Sequence, residues 1–303
     1  MKYKDLILNN FMIRKNKKQK SSFIEKVKEI VKEKDLEVTI EKGAFGVRNI
    51  VIGDVSKAKV VFTAHYDTCA VMPVPNFITP TNIWIYLLYQ VLIMIPMFGV
   101  PAIITWLFNL LFPGMEEFGL LLFDVLLFGM LFLLMFGPAN KNTVNDNTSG
   151  VLTILNIISK LPLELKDKVA FVLFDLEEVG LIGSSDFASK HKKEMKDKLV
   201  INYDCVSDGE KMLFIFSKKA KEYLNLLSEN YISSNDVETQ MVTKGAFYPS
   251  DQANFKYGIG VCAVIKGKKF EYIDKIHTKK DIVLREENIK YLTDNSIKLI
   301  EKI

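Results

Sequence analysis

The alternation of apolar and polar positions divides the chain into short segments of two periods, plus one block with no period at all. Over residues 21–34, Phe23, Ile24, Val27, Ile30 and Val31 recur at helical spacing behind a serine, which predicts an amphipathic helix with a Ser cap. "LEVTIEKG" and "VRNIVIGD" read as two strands joined through Gly43 and Gly46, an antiparallel pair. "KVVFTAHYD" is apolar and β-branched without interruption, a buried strand ending at His65. After residue 148, "TSGVLTILNIISKL" returns to the helical period, and "DKVAFVLFDLEEVG" is another buried strand with its acids at the C-terminal end. "GLIGSSDFASKHKKEM" follows as a helix and "KLVINYDCVSD" as a strand. A helix over 218–233, the strand "GIGVCAVIKG" and a last helix from Glu286 complete the order. Such alternation predicts the α/β class, with a mixed, largely parallel central sheet covered by helices on both faces. In open sheets of this kind ligands gather beyond the carboxyl ends of the strands. His65, Asp175, Glu177, Glu178 and Asp204 all fall there.

The aperiodic block changes the picture. Residues 69–140 contain no Lys, Arg or His, and their only acids are Glu116, Glu117 and Asp124. Residues 83–112 carry no charge, and residues 118–136 carry only Asp124. The second run, 19 residues, would be about 28 Å long as a helix, close to the thickness of bilayer hydrocarbon. The first is interrupted by Pro96, Gly99 and Pro101 and is expected to kink or tilt, with Trp84 and Tyr86 at the interface. Residues 83–137 are therefore read as a transmembrane-type helical hairpin joined by "FPGMEE", with the lipid bilayer as partner; a dimer arm or a lid is the bland alternative. Asp124 would cost about 2.5–3.5 kcal/mol at mid-bilayer, so it is expected to lie shallow or to face the partner helix. The remainder, 1–68 and 141–303, forms one discontinuous soluble domain.

Charge and cysteine usage add limits. A net charge of +4 over 303 residues argues against a nucleic-acid partner. Cys69, Cys205 and Cys262 are isolated, which fits a reducing compartment and predicts three buried small hydrophobes. "MKYKDLILNNFMIRKNKKQK" lacks the apolar run of a signal peptide, and its lysines are expected to be solvated. The body of the protein is expected in the cytoplasm.

Four stretches carry potential metal ligands: "AHYDT", "VNDNTSG", "DLEEVG" and "NYDCVSD"; a fifth, "DKIHTKKD", holds one of only three histidines. His191, in a Lys-rich helix, is expected to be solvated, which leaves His65 and His277. Histidine mixed with carboxylates suits zinc, or manganese or cobalt. Adjacent Glu177 and Glu178 cannot easily both hold one ion, because neighbouring side chains diverge; one can ligate while the other acts as general base.

The ordered set "HYD … NDNTSG … EEVGLIGS … NYD … IHT" resembles the co-catalytic di-zinc aminopeptidases, family twenty-eight of the metallopeptidases, over residues 35–303 apart from the insert. The resemblance implies two zinc ions: His65 and Asp204 on one, Glu178 and His277 on the other, Asp146 bridging both. It further implies Glu177 as general base and Asp67 as the group that orients the His65 ring. "YPSDQANF" resembles the family's substrate-pocket segment, which makes Tyr248, Asp251 and Phe255 candidate substrate contacts. Some members carry a tyrosine beside the last histidine, where this chain has Ile276, so oxyanion stabilisation would fall to zinc or to Tyr272 or Tyr248. The implied activity is a membrane-attached zinc aminopeptidase acting on peptide substrates. The alternatives are a carboxypeptidase or other di-metal amidohydrolase, a glutaminyl cyclase-like enzyme, or a non-catalytic receptor of the same fold. Because His65 and Asp146 must meet at one ion, an even number of crossings has to separate them. An acidic connecting loop and a Lys-rich domain put that domain on the cytoplasmic side.

Overall fold

The N-terminal residues expected to stay in solvent are docked. In the computed structural model, which describes residues 1–303, helix α1 (Lys4–Asn10) buries Ile7, and Phe11 follows it into the core. Helix α2 (Lys17–Lys32) begins four residues before the expected serine. Its cap is Asn16, whose side chain accepts from the Gln19 amide while Gln19 reaches back to the Asn16 amide. Its apolar face is the one the spacing predicts, with Phe23, Ile24, Val27, Ile30 and Val31 all buried. Two of the basic side chains are buried as well. Arg14 is fully enclosed, and Lys20 forms an ion pair with the buried Asp175. Burial of Lys20 corrects the reading of the segment's lysines as solvated at that position, while Lys2, Lys17 and Lys18 are exposed. Lys20→Met would strand the Asp175 charge and should cost about 3 kcal/mol of stability. Urea unfolding checks this; a loss well under 1 kcal/mol would mean that Asp175 finds its compensation elsewhere.

The sheet follows from alternation of side chains on strands that are buried on both faces. In chain order the elements are β1 (Val38–Lys42), β2 (Arg48–Ile52), β3 (Val60–His65), the long helices α3 (Ile83–Leu111) and α4 (Glu116–Phe136), α5 (Gly150–Lys160), β4 (Val169–Phe174), α6 (Ile182–Lys190), β5 (Leu199–Tyr203), β6 (Lys211–Phe216), α7 (Leu224–Asn230), β7 (Glu238–Val242), β8 (Gly258–Lys266), β9 (Glu271–Tyr272) and α8 (Glu286–Lys302). The sheet order is β1-β2-β4-β3-β5-β8-β6-β7, with β9 on β8. The centre is parallel, β4-β3-β5-β8, and antiparallel pairings flank it at β2–β4 and β6–β8. Val60, Phe62 and Ala64 of β3 face one side with Phe171 and Ile201, against α2, α5 and α8. Val61 faces the other with Val172 and Val200, against Phe187 of α6. This period-two split is what makes β3, β4 and β5 uniformly apolar in sequence. Strands β6 and β7 were not anticipated, and the helix expected over 218–233 is shorter, a 3-10 turn over Ala220–Tyr223 leading into α7.

The apolar block is an antiparallel helical pair. Helix α3 runs 29 residues without a break through Pro96 and Pro101, about 43 Å, and α4 runs 21. Near the loop they pack tightly, and a Cβ on Gly119 would stand 2.1 Å from the Asn109 side chain. Both qualify as candidate membrane spans, and only 11% and 6% of their most apolar windows is buried. So little burial excludes a core-helix role. Asp124 faces outward rather than toward α3. Tyr86 packs on Phe247, ring centroids 5.5 Å apart, tying α3 to the domain. The hairpin leaves and re-enters at one place: Ala70 bridges to Ala139, and the Val71 and Asn140 amides donate to Pro138 O and Cys69 O. Closure at this base lets His65 and Asp146, 81 positions apart in sequence, lie side by side.

Candidate metal centre

The parallel strands end together, and their ends carry the charges. His65 closes β3; Glu177 and Glu178 follow β4 after a tight turn; Asp204 follows β5. Three backbone positions that aim these groups lie in the left-handed region: Leu176 (φ 54°) before Glu177, Cys205 (φ 55°) after Asp204, and His277 itself (φ 61°). Each costs about 1–3 kcal/mol, strain that concentrates where side-chain direction matters most.

Asp146 sits in a loop of short polar residues, each of which has an anchoring role. Asn145 Oδ1 accepts the amides of Ser207 and Asp208, and Asn147 Nδ2 donates to Tyr203 O while its Oδ1 accepts the Gly150 amide. Gly150 is required because a Cβ there would meet Tyr203 O at 2.3 Å. From below, Asp281 accepts the main-chain amides of Asn145 and Asp146 at 2.7 and 3.1 Å.

Held this way, Asp146 presents one oxygen to each histidine: Oδ1 lies 3.2 Å from His65 Nε2 and Oδ2 lies 3.0 Å from His277 Nε2. Asp204 Oδ1 is 3.5 Å from the same His65 nitrogen, and Glu178 Oε2 is 3.2 Å from the same His277 nitrogen. Glu177 Oε2 stands farther off, 4.0 Å from His65 Nε2. Two three-donor groups thus share one carboxylate. Nitrogen and oxygen donors about 2.0–2.2 Å from one tetrahedral ion stand about 3.3–3.6 Å apart, and the observed 3.0–3.5 Å lies within that range or a few tenths of an ångström below it.

The electrostatics fit the same conclusion. Glu178 Oε1 and Asp204 Oδ1 are buried with no hydrogen-bond partner, an arrangement that is unfavourable until a cation occupies it. Burial lifts the Glu178 carboxyl well above the usual range, and Asp146 lifts it further. Burial lifts Glu177 as well, with Asp204, Asp251 and Glu178 adding to the rise against His65. For His65 burial acts downward, yet Glu177, Asp146, Asp204 and Asp67 together raise its pKa well above the ordinary value. The direction of these shifts marks a buried cluster of acids short of positive charge, and the donor set fits a divalent metal.

Asp67 has more contacts than the sequence implies. Its Oδ1 is 3.5 Å from His65 Nδ1, and its two oxygens accept the amides of Glu177 (3.1 Å) and Glu178 (3.3 Å). One carboxylate therefore locks β3 to the glutamate turn.

Of the substrate-pocket candidates, Phe255 is enclosed against Phe174 and Phe187 and belongs to the core, which corrects its reading as a substrate contact. Tyr248 is also buried; its hydroxyl donates to Asp204 O, and Ser250 donates to Asp204 Oδ2, so both steady Asp204. Asp251 is fully buried with neither oxygen partnered, and burial pushes its carboxyl up to about 7. Its reach is to Glu177 through charge, not to a substrate by contact. Tyr272, the other oxyanion candidate, packs on Phe77 at 5.5 Å. His191 is not free in solvent but lies between Glu194 (2.5 Å) and Glu41 (2.8 Å).

Sequence reasoning missed Asp281 and Arg14. Arg14 donates to Tyr66 O, Phe11 O and Thr148 Oγ1, fastening the N-terminal arm to the segments that follow His65 and Asp146. Burial lowers its pKa to about 10, so it still carries a positive charge behind the acids at neutral pH.

The profile of peptidase family M28 matches residues 130–299. No curated protein matches the chain in sequence. Among solved structures, the LapA aminopeptidase of Legionella pneumophila is similar at 13% identity with a TM-score of 0.58, covering 97% of this chain and 68% of its own. The glutaminyl cyclase of Porphyromonas gingivalis is similar at 14% identity and TM-score 0.56, covering 97% of this chain and 94% of its own. That of Bacteroides thetaiotaomicron has 13% identity and TM-score 0.58, covering 98% and 96%. At such identities the likeness carries the fold: an α/β sheet flanked by helices.

Proposed function

We propose, from the premise that the chain belongs to peptidase family M28, that it is a membrane-attached metallo-aminopeptidase. The reading assigns two divalent ions, zinc in the first instance with manganese or cobalt as alternatives. His65 and Asp204 would hold one ion and Glu178 and His277 the other, with Asp146 offering an oxygen to each. The observation that carries it is the pair of Asp146 contacts, one oxygen on each histidine at 3.2 and 3.0 Å. When bound, such ions supply Lewis acidity to the scissile carbonyl and to the attacking water.

The chain's own groups supply the rest. Glu177 stands farther from the histidines than the other donors, 4.0 Å from His65 Nε2, and its burial favours holding a proton. It takes the proton of the attacking water and delivers it to the leaving amine. Asp67 fixes the direction of both glutamates through their amides, and Tyr248 and Ser250 hold Asp204 in place.

Metal analysis of detergent-purified protein, run beside aminoacyl reporters, their blocked-amine analogues and N-terminal glutaminyl peptides, tests this. The expected result is two ions per chain and release only from free amines. Cyclisation of the glutaminyl peptides without hydrolysis would replace the aminopeptidase reading with the cyclase one. Five donors, more than one ion needs, favour the peptidase.

The hairpin is read as spanning the bilayer with the catalytic domain on the cytoplasmic side. The bare helices, the acidic loop and the cations beside the inner end of α4 support this; Lys15 Nζ donates to Met135 O at 2.7 Å. A cavity of about 590 Å³ between the helices reaches Met72, whose sulfur is 3.3 Å from His277 Nδ1. This apolar approach to the site supports a preference for hydrophobic or membrane-derived peptides. Alkaline carbonate should leave the intact protein in the membrane pellet; its release would support a dimer arm instead.

A further inference from the structure

Cys69 is the one cysteine not enclosed by apolar neighbours. All three cysteines are buried, but Cys205 and Cys262 pack with Leu213, Val264 and Ile273, whereas Cys69 belongs to no hydrophobic cluster. Its surroundings are polar. Asn140 Nδ2 is 3.8 Å from Sγ, and Sγ, a Glu178 oxygen and a His277 nitrogen all lie within 4.8 Å of one another. Glu178 Oε1, in the same group, is buried and has no hydrogen-bond partner, and only 5% of that side chain is exposed. A small hydrophobe does not need such a setting, and a thiolate whose proton a bound ion displaces fits it.

We propose that Cys69 is an additional, thiolate ligand of the ion held by Glu178 and His277. The proposal rests on the di-metal reading above and adds to it an asymmetry: one subsite has nitrogen and oxygen donors only, the other includes sulfur. The thiol proton is released to solvent as the ion binds, since a coordinating sulfur is deprotonated. Sulfur selects soft and borderline ions, so this subsite prefers zinc or cadmium to manganese more strongly than the His65 subsite does. Cys69 also stands at the base of the hairpin, where its carbonyl accepts the Asn140 amide beside the Ala70–Ala139 bridge. The second ion is thereby tied to the point where the apolar helices join the domain.

The test uses the full chain in detergent, loaded with cobalt(II), with bound cobalt counted and the near-ultraviolet spectrum recorded. Two ions per chain with a sulfur-to-cobalt charge-transfer band are expected. In Cys69→Ser the band should vanish and one ion should bind at least tenfold more weakly, while Cys262→Ser keeps the band. Two bound cobalt ions without the band, or a band that survives in Cys69→Ser, would overturn the ligand assignment and leave the di-metal site standing. Failure to bind cobalt at all would remove both.

Discussion

Glu177→Gln should retain its full metal content and lose turnover about a hundred- to ten-thousand-fold, the usual worth of a positioned general base. The expectation follows from the unequal placement of two adjacent acids. Glu178 lies 3.2 Å from His277 Nε2, at ligand spacing, while Glu177 is held 4.0 Å from His65 Nε2 with its amide on Asp67. Glutamine keeps the shape and the backbone contact but cannot accept the proton of the attacking water. KM should change little, because the side chain acts on the water and not on the bound peptide. Steady-state kinetics beside elemental analysis decides it. A fully active variant would remove the role, and a metal-depleted one would make Glu177 a ligand.

Asp146→Ala should lose both ions together. Its two oxygens face different histidines, so no other substitution removes a donor from both groups at once. The two histidines hold its carboxyl ionised against the opposing effect of burial, which is the state a bridging ligand needs. The consequence is thermodynamic as well as kinetic. An ion present at a hundred times its Kd stabilises the folded state by about 2.7 kcal/mol. Zinc should therefore raise the melting temperature of the native chain and leave that of Asp146→Ala unmoved. A variant that keeps one ion and half of the shift would show that the two subsites do not share this side chain.

The parts of the fold legible in the sequence were those whose physics is local. Strands β3, β4 and β5 are buried on both faces and read as unbroken apolar runs; β7 sits at the sheet edge, where "ETQMV" alternates too weakly to announce itself. The hairpin helices could not be mistaken, since no charge interrupts residues 83–112. Their continuity through Pro96 and Pro101 was not legible.

Arg14 and Lys20 were misread for a different reason. Cations are normally surface groups, and what buries these two, Tyr66 O, Thr148 Oγ1 and Asp175, lies 52 to 155 positions away. The same distinction divides the site. His65, Glu178 and Asp204 stand at strand ends, where a carboxylate or histidine is already conspicuous. Asp281 and Cys69 gain their surroundings only after the hairpin closes and the C-terminal loop crosses beneath Asp146, so nothing nearby in the chain marks them. Phe255 shows the converse error: motif position placed it in a pocket, and packing against Phe174 put it in the core.

The most direct measurement is an anomalous-difference map from crystals of the full chain grown with zinc. It should show two peaks flanking the Asp146 carboxylate, one beside His65 and Asp204, the other beside Glu178 and His277. A map with no peak there, or a single peak that leaves Asp146 untouched, would contradict the shared-carboxylate centre.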